Sequence, residues 1–106
     1  MGFFKRKFEK NAERDFNFLK GYASRCMGLL QFAEGNSDVQ AKIHEMAEKF
    51  QYTDAISPNR KKLEKDIEKQ YAVLESTLQQ PGYDSADVIN QIKIIINTIV
   101  AIASNY

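Results

Sequence analysis

Tryptophan is absent from this chain of 106 residues, and cysteine and histidine occur once each, as Cys26 and His44. A lone cysteine excludes an internal disulfide, so nothing in the composition calls for an oxidising compartment. A lone histidine excludes a zinc centre built on two or more imidazoles. Proline occurs only at positions 58 and 81, and the five glycines are scattered singly. Neither a glycine-rich phosphate loop nor a flexible linker is therefore present. An excess of charge of one sign is also missing: fifteen Lys and Arg stand against fourteen Asp and Glu. That balance speaks against the strongly basic face of a nucleic-acid binder.

Long apolar runs are lacking too. The most apolar segment, residues 92–103, is interrupted by Lys93, Asn97 and Thr98 and falls short of the ~20 residues of a membrane span. The start of the chain is basic, yet no apolar stretch of signal-peptide length follows it. Arg6 stands where a myristoylation signal calls for Ser or Thr. The expectation is one cytoplasmic domain over residues 1–106, with no transmembrane segment.

What the chain does contain is helical periodicity. Phe8, Ala12, Asp15, Leu19, Tyr22, Cys26, Leu29 and Ala33 step by alternating fours and threes. With Phe16, Ala23 and Leu30 beside them, they form one broad apolar face of a helix running from about Phe4 or Phe8 to Ala33. Gly35 follows as its left-handed stop. Ser37 to Gln40 reads as a capping box opening a second helix, whose inward face is Val39, Ile43, Met46, Ala47 and Phe50. Ser57-Pro58 predicts the start of a third helix, with Ser57 as its cap and Pro58 at the first helical position, where the missing amide costs nothing. Leu63, Ile67, Tyr71, Leu74 and Leu78 line its inner face, with Gln70 on the same side.

Gln80-Pro81-Gly82 is a turn by its dipeptide chemistry. Asp84 then caps a fourth helix whose apolar face carries Val88, Ile89, Ile92, Ile95, Ile96, Ile99, Val100, Ile102 and Ala103. The fold expected is all-α: a four-helix antiparallel up-and-down bundle. Its first helix is long, at roughly 40 Å for about 26–30 residues, and its second short, at about 14. Residues 1–8 form a basic-aromatic extension of helix one.

Constellations for chemistry are sparse. His44-Glu45-Met46-Ala47-Glu48 begins like a zinc-protease motif, but Glu48 occupies the second histidine position. The acidic pairs Glu45/Glu48 and Asp84/Asp87 have a spacing that can serve magnesium; neither points inward on a helical wheel, and Asp84 is accounted for as a cap. Cys26 lies on an apolar face with no base placed to activate it. No catalytic residue, metal ligand, cofactor or small-molecule ligand is inferred. Asp15 and Gln70, polar residues on core faces, are candidates to pair with one another or with Lys93, or to sit partly exposed.

Two features point to contact with partners. The first is a second stripe on helix one: Arg14, Phe18, Gly21, Arg25, Gly28 and Phe32, again at helical spacing. A glycine inside a helix costs ~1 kcal/mol relative to alanine, so two of them on one stripe call for a reason. Close approach of another helix is one, and aromatics with arginine suit a protein interface. That approaching helix belongs either to a partner or to this chain's own bundle. The second feature is Phe3, Phe4, Lys5, Arg6 and Lys7, a basic-aromatic start that fits an anionic membrane surface, an acidic partner, a disordered tail, or, ahead of these, a terminus that frays or caps the bundle, with Phe4 and Phe8 continuing the core face. The first reading is a non-enzymatic module that binds a protein partner or itself, as a homo-oligomer, through helix one. The alternative is a peripheral membrane-surface protein attached through residues 3–7. A metal-dependent hydrolase ranks behind both.

Overall fold

The structure, a computed structural model, describes residues 18–104. Expectations resting on residues 1–17, among them Arg14, Asp15, Phe16 and the whole basic-aromatic start, lie outside the described residues. So does the beginning of helix one, and with it that helix's length.

Among the described residues the chain is all-α, without strands. Helix α1 covers residues 18–29 and tightens into a 3₁₀ turn over Leu30–Phe32. Three further helices follow: α2 (Ser37–Tyr52), α3 (Arg60–Leu78) and α4 (Ser85–Ile102). The breaks between them follow local chemistry. Gly35 and Gly82 adopt φ of +77° and +74°, in the left-handed region that any side chain would strain.

The caps correct two details of the sequence reading. The α2 cap is Asn36, not Ser37: its side chain accepts the Val39 amide at 3.3 Å. Gln40 reaches past the cap and donates to the Ala33 carbonyl at 3.0 Å. The Asn36 amide group is then free to donate to Ser85 Oγ at 2.7 Å. Asparagine carries both a donor and an acceptor, so one residue can cap α2 and tie it to the start of α4. Helix α3 begins at Arg60, two residues after Pro58. Ser57, buried, accepts the Asn59 amide at 3.1 Å, so the serine shapes a turn that precedes the helix. Asp84 caps α4 as expected, accepting the Ala86 amide at 3.0 Å.

α3 and α4, joined by the turn at Gly82, pack against one another. Gln91 donates to Thr77 at 3.2 Å near that turn, and Thr98 donates to Gln70 at 2.9 Å further down. Thr98 is thus the partner Gln70 finds. α2 packs against α4 as well. Their starts are joined by Asn36–Ser85 and their ends by the 53–59 connection, where the Ile56 and Ser57 amides donate to the Ile102 carbonyl at 3.1 and 2.9 Å.

The core sits between the helices. Ile92, Ile95, Ile99 and Ile102 of α4 are fully buried beside Ile43, Met46 and Phe50 of α2 and Ile67, Tyr71 and Leu74 of α3. Assignments at the edges of this face shift: Ile89, Ile96 and Ala103 are half-buried, and Val100 is 56% exposed. α4 is long and apolar enough to cross a membrane by length and composition, with mean hydropathy 1.3 over 18 residues. In this fold its apolar stripe is taken up by α2 and α3, with Asn90, Lys93 and Asn97 exposed opposite.

Candidate interaction surface

α1 joins the core through an aromatic cluster. Tyr22 stacks on Phe50 of α2 with ring centres 5.4 Å apart, and meets Tyr71 of α3 edge-on at 4.8 Å. Phe18 leans on Tyr22 at 5.1 Å. Cys26, one turn on, is fully buried. Burial pushes its thiol up to about 12, against the smaller opposing effects of Tyr71 and Arg25. A thiol held neutral is a packing group and not a nucleophile at ordinary pH. Burial also raises Tyr71 and Tyr22 above the usual phenol range. The Tyr71 hydroxyl finds no oxygen or nitrogen partner among the described residues and lies against the Cys26 thiol, a weak acceptor.

The second stripe of α1 is divided by the structure. Phe18 and Phe32, at its two ends, are half-buried and pack against the core. Arg25 lies across to α3: its guanidinium sits 4.8 Å from the centre of the Tyr22 ring and 4.7 Å from that of Tyr71, with Glu75 at 3.6 Å. Between these residues Gly21 and Gly28 are exposed. A Cβ built on either meets nothing within 4 Å. No helix of the described residues approaches them, so neither glycine serves a contact inside the described bundle. Arg14 lies outside the described residues.

Beside the glycines runs an open cleft of about 290 Å³ between α1 and α2. Met27 and Tyr52 stand at it, 50% and 82% exposed, with Ala23 and Ala47 as its floor and Ser24, His44, Glu48 and Gln51 around it. Helical periodicity in the sequence does not reveal this cleft. Its one trace in the sequence is that Met27 and Tyr52 belong to neither apolar stripe. Large apolar side chains left over from the core become informative when they cluster.

His44, Glu45 and Glu48 are exposed, as their helical positions implied. Lys42 pairs with Glu45 at 3.0 Å. No group of three side chains able to hold a metal occurs among the described residues. The surface offers two open glycines, a cleft of mixed polar and apolar lining, and an arginine held over two rings. No protein-family model, curated protein or solved structure matches this chain.

Proposed function

We propose that the chain is a non-enzymatic interaction module that binds a protein partner, or a second copy of itself, through the outer face of helix one. The scaffold in this reading is an up-and-down bundle in which helices alternate in direction along the chain and the first is the longest. The observation that carries the proposal is the openness of Gly21 and Gly28. A glycine in a helix lowers its stability, and its compensating use is to let a backbone come close. No backbone of the described residues does so, and in this reading that use falls to another chain. Met27, Tyr52 and the cleft beside them add apolar area to the same side.

Gly21→Glu and Ser24→Arg test it, because both place long charged side chains where the monomer has room. Together they should weaken self-association or partner capture by more than tenfold, or about 1.4 kcal/mol, while the monomer's melting temperature stays within a few degrees. Sedimentation over a concentration series reads self-association, and cross-linking in the source cell reads a partner. A wild-type chain that stays monomeric at millimolar concentration, and cross-links equally with and without the substitutions, overturns the proposal.

A further inference from the structure

We propose that the outer face of α3, with Val73 and Ile94 beside it, docks on an anionic lipid surface. Lys61, Lys65 and Lys69 follow one another at i, i+4, and Lys62 lies next to them, so the four share one side of the helix. All four are exposed, and none forms an ion pair or hydrogen bond among the described residues. Pairing within the helix was open to them, since Asp66 stands four positions after Lys62 and Glu68 three after Lys65. No such pair is made. The acids of α3 serve another contact. Glu68 and Glu75, two helical turns apart, both bear on Tyr22 of α1, and Glu75 reaches Arg25 at 3.6 Å. The helix thus segregates its charge, with carboxylates toward α1 and ammonium groups toward solvent. The near-balance of charge over the whole chain conceals this local excess.

The lysine stripe continues into apolar side chains. Val73, one turn beyond Lys69, is 55% exposed, and Ile94 of α4 is 52% exposed. Val73 falls between Gln70 and Thr77, and Ile94 between Gln91 and Thr98, the residues whose side-chain bonds join α3 to α4. Both therefore border one seam on its solvent side. Lysines continued by exposed apolar side chains suit a charged bilayer: the ammonium groups meet the headgroups, and the apolar ones enter the acyl boundary. The chemistry of the cations narrows the partner further. Arginine's planar fork matches a defined phosphate or carboxylate, whereas lysine is a compact, hydrated point charge. A stripe made of lysine alone, on the outward side of a helix, fits the diffuse field of many headgroups better than one shaped acidic ligand. None of these residues belongs to the outer face of helix one, so the inference stands or falls independently of the proposed interface.

The test is sedimentation of the full-length chain with vesicles of phosphatidylcholine, alone or mixed with phosphatidylserine. The chain should bind the mixed vesicles only, and added salt should release it, because ions screen exposed charges. Lys61→Gln, Lys65→Gln and Lys69→Gln together should lower binding more than tenfold. The melting temperature should stay within a few degrees, since these side chains are exposed and unpaired. Val73→Ser with Ile94→Ser should weaken binding several-fold with the charge intact. Lys5, Arg6 and Lys7 are set apart by repeating the lysine substitutions in a chain carrying Lys5→Gln, Arg6→Gln and Lys7→Gln, where the loss of more than tenfold should persist. A chain that ignores the mixed vesicles overturns the proposal. So does binding that survives the α3 substitutions, or that disappears with the amino-terminal ones alone. Capture by polyglutamate or duplex DNA, at a salt concentration where vesicles are not bound, would assign the lysines to another class of partner and overturn it as well.

Discussion

The Arg25 guanidinium lies 4.7 Å from the centre of the Tyr71 ring, reaching from the exposed side of α1 over a residue fully buried in α3. Tyr22 shares the same cation at 4.8 Å. One side chain therefore covers the edge of the aromatic cluster where α1 meets α3, its stem over apolar surface and its charged end toward Glu75 and water. The arrangement explains why an arginine can occupy the margin of a core without costly burial: the ring faces offer negative charge in place of part of the lost water.

Arg25→Ala should accordingly destabilise the monomer by about 1–2 kcal/mol, summing two partly exposed cation–ring contacts and the loss of stem packing. Glu75→Gln should cost under about 0.5 kcal/mol, because an exposed ion pair of this length contributes little. Urea denaturation of both variants decides. Equal losses for the two would mean that the ion pair, and not the rings, holds Arg25 in place.

The α4 core allows a graded test. Ile99→Ala should cost about 2–5 kcal/mol, the range for truncating a buried aliphatic. Val100→Ala, at a position 56% exposed, should change stability by less than about 0.5 kcal/mol. Ile96→Ala, half-buried, should fall between them. Thermal or urea melts that reverse the order of Ile99 and Val100 would show the helix rotated from the orientation described.

These gradations mark where sequence reasoning stops. The isoleucine spacing in α4 was legible because burial on a helix repeats every three or four residues, and it located Ile92, Ile95 and Ile99 directly. Val100 was misassigned because a wide apolar arc has an edge, and only the neighbouring helix decides where that edge falls. α2 starts at Ser37 as the sequence implies, but its cap is misassigned by one residue, since Asn36 and Ser37 are both good caps. The choice went to Asn36, whose amide can also reach Ser85 across 49 positions of sequence, a tertiary term with no local trace. Meeting points such as Tyr22 with Phe50 and Tyr71 are equally tertiary. The second stripe on α1 was visible as a pattern. Which of its members are open, and that Arg25 is held over rings, depended on where α3 lies.

The two roles of Asn36 can be separated. Asn36→Ala should cost about 1–2 kcal/mol, since it removes the α2 cap and the link to α4 together. Asn36→Asp keeps an acceptor for the Val39 amide and loses the donor to Ser85, so it should recover roughly half. Ser37→Ala should change stability by less than about 0.5 kcal/mol, because Ser37 is exposed and is not the cap. A larger loss at Ser37 than at Asn36 would restore the serine as the capping residue.

Stability should depend on alkaline pH through the buried acids at the α1–α3 contact. Cys26 has an ordinary value of 9.0 and is pushed up to about 12 by burial, and Tyr71 and Tyr22 are raised from 10.0. A raised acid binds more protons folded than unfolded, so stability falls as pH rises. The contribution is fully present below about pH 9, near the unfolded thiol's value. It is lost progressively above that, as the unfolded thiol and then the phenols ionise at lower pH than their folded counterparts. Urea midpoints should stay level with respect to these groups between pH 7 and 8.5, then decline, with each group adding a limiting slope of about 1.4 kcal/mol per pH unit. Cys26→Ala should make the early part of that decline, between pH 9 and 10, shallower and leave the phenol-driven part above it. An unchanged profile in Cys26→Ala would mean that the thiol ionises as readily folded as unfolded, and that the α1–α3 contact is more open to water than its burial indicates.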